Sequence, residues 1–127
     1  MKSLLTRSLV AVGAWLSLTA AAQTPAAVEQ IDALKASPGN FRLLLENERV
    51  RVVEYAIRPG ERDQPLTHPA KVSYVVSGGT IRVTTSDGRS LVYEEKAGDT
   101  TWSEPVPRHT VENIGPTPVR IVLVEVK

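Results

Sequence analysis

The chain has 127 residues, 15 basic against 14 acidic, 42% hydrophobic and no cysteine. One domain fits that length. The missing cysteines exclude a disulfide framework, a thiolate metal site and a cysteine nucleophile, and no basic face or charge block points to nucleic acid.

Residues 1–22 open with Lys2 and Arg7, continue through an apolar run from Leu9 to Leu18, and close on Ala20-Ala21-Ala22. That order predicts a cleaved secretory signal peptide. The run is too short for a bilayer span, which needs about 20 residues. The expectation is an exported protein, periplasmic or secreted, with no membrane segment after cleavage. Without the two basic residues of this segment, 13 basic residues face 14 acidic ones, so the positive balance is a targeting feature.

Residues 23–40 read as a lead-in. Val28, Ile31 and Leu34 have the spacing of a short helix, and Pro38-Gly39-Asn40 ends it. From residue 41 the pattern becomes β. Runs are expected over 41–45, 50–58, 72–76, 80–85, 90–96, 100–103, 109–114 and 119–127. Ile81 and Val83 alternate with Arg82 and Thr84. Asp87-Gly88 is a hairpin signal supplying the positive φ that a tight turn needs. About eight short strands with no crossover helix between them predict an all-β sandwich or barrel. The domain organisation is therefore signal peptide 1–22, lead-in 23–40 and β domain 41–127.

Both histidines of the chain fall in spaced patterns. Gly60 is followed at fixed intervals by Leu66-Thr67-His68, Val72 and Gly79; Gly98 is followed by Trp102, His109 and Asn113. This resembles the cupin superfamily, with motifs G-x5-H-x-H-x3/4-E-x6-G and G-x5-P-x-G-x2-H-x3-N. The likeness runs from Phe41 to Lys127. It implies a double-stranded β-helix, a jelly-roll-like barrel with a pocket inside, and small single-domain cupins commonly pair as homodimers.

The resemblance also implies a metal held by three histidines and a glutamate. Here Leu66 takes the first histidine position, Val72 the glutamate position, Glu104 the proline position and Val106 the second glycine position. Of the four ligands only His68 and His109 remain. Asp63 and Glu104 are the nearest carboxylates that would complete a two-histidine, one-carboxylate set, and neither is at a family ligand position.

Three readings stand. One is a small-molecule-binding cupin without a full metal site, its ligand near Leu66, His68, Val72, Tyr74 and His109. Another is a metal-dependent oxygenase, isomerase or lyase using a divalent transition metal on His68 and His109. The last is a non-catalytic interaction module. The histidines suit general acid–base work as well. Tyr74 is read as sharing the inward parity of His68, Trp102 as core, Asn113 as a partner of turn backbone, and Gly60, Gly79 and Gly98 as turn residues.

Overall fold

The structure is a computed structural model that describes residues 28–127. The expected signal peptide and the first five residues of the lead-in lie outside the described residues.

The first described element, α1 (Ala33–Ala36), is one helical turn, shorter and later than the apolar spacing predicts. Asp32 caps it, accepting from the Leu34 amide at 2.9 Å. The strands are β1 (Phe41–Glu46), β2 (Val50–Ile57), β3 (Leu66–His68), β4 (Lys71–Ser77), β5 (Gly79–Thr85), β6 (Ser90–Glu95), β7 (Thr100–Ser103), β8 (Val106–Asn113) and β9 (Val119–Val126). Eight match the expected runs within a few residues. The unexpected one is β3, whose three residues are too few to alternate visibly. The fold is all-β, and every ladder is antiparallel.

The strands form two sheets, one ordered β1-β2-β9-β4-β7 and the other β3-β8-β5-β6. Their inner faces hold the core. From the five-stranded sheet come Val53, Tyr55, Ile57, Val75, Val119, Ile121 and Leu123; from the other side come Leu66, Ile81 and Val111. These are mostly β-branched residues, which fill a pleated, half-buried surface well.

The turns obey their residues. Gly88 has φ +86° and closes a three-residue loop, its amide donating to Thr85 O at 3.0 Å while the Thr85 amide donates to Arg89 O at 2.9 Å. Asp87 keeps a negative φ, so this is a bulged hairpin rather than a two-residue turn. Gly79 differs from the turn role expected of it. It starts β5, and a Cβ there would meet Val119 Cγ2 at 2.8 Å and Thr117 Oγ1 at 2.9 Å, so it is required for space. Asn113 does what turn chemistry predicts: fully buried, its Nδ2 donates to Ile57 O at 3.0 Å and Thr117 O at 2.8 Å, and its Oδ1 accepts from the Gly115 amide at 3.0 Å.

Candidate functional site

A cavity of about 480 Å³ lies between the two sheets. Its apolar wall includes Phe41, Ile81, Val83, Val111, Ile121 and Leu123; its polar wall includes Asp63, His68, Lys71, Ser73, Ser103 and His109. Glu94, Glu95 and Asp99 add an acidic stretch. A few convergent polar groups against an apolar wall are the usual make-up of a small-molecule site.

His68 ends β3 and His109 lies on β8, so the ladder between these strands brings the rings together, with centroids 5.3 Å apart. The Phe41 ring lies 5.8 Å from that of His68, centroid to centroid. His109 Nδ1 donates to Pro107 O at 2.8 Å, which leaves Nε2 with the lone pair. Burial lowers the pKa of both rings, and the positive charge of Lys71 lowers them further. Both imidazoles are therefore neutral at pH 7.

Behind His68 runs a row of charges across the inner face of the five-stranded sheet. Strand register places Arg51 opposite Glu125 and Glu125 opposite Lys71, with Ser103 beyond. Glu125 is 2% exposed. Its Oε2 accepts from Arg51 Nε at 2.7 Å, and Arg51 Nη1 reaches Asp32 Oδ2 at 3.0 Å. Its Oε1 faces His68 Nδ1 at 3.4 Å, and among the described residues neither atom has a hydrogen-bond partner. Burial opposes ionisation of Glu125, but the hydrogen-bonded Arg51 guanidinium outweighs it and holds the pKa below the usual carboxylate value. Lys71 is 8% exposed. Its Nζ donates to Ser73 Oγ at 3.1 Å and Ser103 Oγ at 3.4 Å. Burial lowers its pKa against the opposing pull of Glu125 and Glu95.

Asp63 lies on the segment between β2 and β3. Its carboxyl accepts from the Val111 amide at 2.6 Å and the Tyr55 hydroxyl at 2.9 Å. Burial nonetheless pushes its pKa up to about 6.

Of the residues singled out in the sequence, His68, His109, Asp63 and Val106 line the cavity, whereas Leu66, Val72, Tyr74, Trp102 and Glu104 do not. Leu66 is fully buried as core beside them. Val72 and Tyr74 correct the expectation: they sit on the outer face of β4, Tyr74 48% exposed, and Lys71 and Ser73 face inward instead. The parity count from His68 failed because β3 and β4 belong to different sheets, and Pro69-Ala70 between them resets the alternation. Trp102 is likewise on the outer face, 55% exposed rather than core, with its Nε1 donating to Glu104 Oε1 at 2.9 Å. Sequence reasoning missed Lys71, Arg51 and Glu125. The available signal was charge at alternate positions within otherwise apolar strands, as in Val119–Val126, where Glu125 falls on the parity of Val119, Ile121 and Leu123.

The residues present do not fit a transition metal of the kind the motifs imply. Among the described residues no group of three His, Asp or Glu side chains is placed to hold one. Glu125 is committed to Arg51. The Lys71 ammonium lines the same cavity as both imidazoles, and its charge opposes a second cation there.

Two packed antiparallel sheets with this strand order define a double-stranded β-helix protein. The cupin domain family model matches residues 53–125, and the chain belongs to that family. It is similar to a cupin domain from Bordetella pertussis Tohama I, at 25% identity and TM-score 0.63 over 68% of this chain and 91% of that one. A second similar structure is a conserved protein with a double-stranded β-helix domain from Klebsiella pneumoniae, at 27% identity and TM-score 0.52 over 71% and 79%. The polyketide cyclase RemF from Streptomyces resistomycificus shares the fold at 20% identity and TM-score 0.51 over 68% and 63%. No curated protein matches the chain.

Proposed function

We propose that this is an exported cupin that binds a small organic molecule in its barrel without a resident metal. The cavity of about 480 Å³, apolar on one wall and polar on the other, carries the reading. The poor fit of the donor set to a metal supports its second half. The test is elemental analysis of the untagged mature protein after dialysis against a mixture of first-row metals. The expected result is no stoichiometric metal. Stoichiometric metal that disappears in a His68→Ala/His109→Ala variant would overturn the metal-free reading and favour a metal-dependent enzyme. Export rests on the N-terminal pattern of residues 1–22. The intact mass of protein recovered from the periplasm or medium should lack that segment, and a full-length mass in the cytoplasm would count against it.

A second reading concerns the outer face of the five-stranded sheet. Register aligns Leu45, Val52, Val124, Val72 and Trp102 into one apolar row across all five strands. Exposed apolar rows of that extent mark interaction surfaces, and a second copy of this chain is the proposed partner. Light scattering on a sizing column should report a dimer, and a monomer at all concentrations sinks the idea.

A further inference from the structure

We propose that the cavity receives a ligand carboxylate on the Lys71 ammonium, so that the bound molecule is a small monocarboxylate with an apolar body. This rests on the cavity being a ligand site, as argued above. Lys71 lines the cavity and is nine-tenths buried. An ammonium has three donors; two are taken, by Ser73 and Ser103. Its cross-strand neighbour Glu125 is not its ion-pair partner, because Arg51 holds one carboxylate oxygen and the other faces His68. Glu125 and Glu95 act on it only at a distance, and among the described residues no carboxylate lies within ion-pair reach of it, an arrangement that is costly for a buried ammonium. A carboxylate entering the cavity supplies both the missing acceptor and the missing charge in one charge-assisted hydrogen bond.

The surroundings set the rest of the ligand's chemistry. Glu94, Glu95 and Asp99 line the same cavity, and burial together with the charge of Asp99 raises the pKa of Glu95. That field opposes a dianion such as phosphate more strongly than a single negative charge placed beside Lys71. His109 does not compete for the anion, because its Nδ1–H is spent on Pro107 and its Nε2 carries a lone pair. Ile81, Val83, Val111 and Leu123 supply an apolar wall for the remainder of the molecule.

The experiment titrates benzoate, benzamide and inorganic phosphate into the mature protein at fixed ionic strength, following amide resonances by NMR. Benzoate should perturb residues of the cavity and bind at least about tenfold more tightly than benzamide, the excess expected of a charge-assisted contact. Phosphate should bind more weakly than benzoate. Lys71→Met and Lys71→Gln should each bring benzoate down to the benzamide level, with benzamide unchanged; two variants guard against a folding defect in either. Equal binding of benzoate and benzamide, a preference that survives both Lys71 variants, or phosphate binding tighter than benzoate overturns the proposal while leaving the cavity a ligand site. If no probe perturbs any cavity resonance, the ligand-site reading fails and takes this one with it.

Discussion

Neighbouring pleats on the inner face of the five-stranded sheet follow opposite rules. The rows Tyr55–Ile121–Val75 and Ile57–Val119 put mostly aliphatic and aromatic groups inside, with charge outside at Glu54 and Arg120. At the other end the row Arg51–Glu125–Lys71 puts charge inside, while Val52, Val124 and Val72 in the adjacent row face outward. The first end is stabilised by apolar burial, at about 25 cal/mol per Å² removed from water. The second must satisfy each charge individually, because a buried charge is tolerable only when paired and hydrogen-bonded. Arg51 and Glu125 meet that condition with each other and with Asp32. Lys71 meets it only with hydroxyls. One end is held by apolar burial, and the other depends on an electrostatic arrangement in which the Lys71 ammonium is met by hydroxyls.

The strongest way to break that contrast is to remove a charge from the paired row and a hydrocarbon from the apolar set. Glu125→Ala should cost about 4 kcal/mol in denaturant unfolding, because it strands Arg51 and deletes a fully buried side chain. Leu123→Ala, two residues earlier on the same face, should cost about 3 kcal/mol. A Glu125→Ala cost well below that of Leu123→Ala would mean the charged row is not structural.

Asp63 gives the next effect, and it depends on pH. Its folded pKa of about 6 lies above the ordinary aspartate value of 3.8, so the folded state binds its proton more tightly than the unfolded state does. Protonation of Asp63 therefore favours folding below about pH 4, and this contribution is lost as pH rises through 6. Asp63→Asn keeps both the acceptor for the Val111 amide and a partner for the Tyr55 hydroxyl. Relative to that variant, the wild type should lose about 2–3 kcal/mol between pH 4 and pH 7. A constant difference across that range would place the carboxyl in water.

Lys71→Met should leave stability unchanged or raise it by up to about 1 kcal/mol, since an ammonium without a carboxylate partner is exchanged for hydrocarbon of similar length. A loss of several kcal/mol would show that Lys71 belongs with the paired charges instead. The smallest effect is expected on the outer surface. Arg82 and Glu112 lie 3.7 Å apart in solvent, and Arg82→Ala should change stability by less than about 0.5 kcal/mol.

Local pattern was enough to read the strands, because alternation and turn residues act over a few positions. It placed eight of the nine strands, the Asp87-Gly88 hairpin and the role of Asn113. The motif spacing likewise pointed to the family that the domain match shows. The rest of the site was not legible, for two physical reasons. The alternation does not survive a chain reversal between sheets, so Val72 and Tyr74 were put on the face that Lys71 and Ser73 occupy. The other reason is register. Arg51, Lys71 and Glu125 are up to 74 positions apart in the chain, and only the pairing of β2 and β4 on either side of β9 sets them in one row. Sequence by itself determined which segments are strands, since that depends on each residue and its near neighbours. Tertiary structure alone decided which side chains share the cavity, since that depends on which strands meet and at which residue.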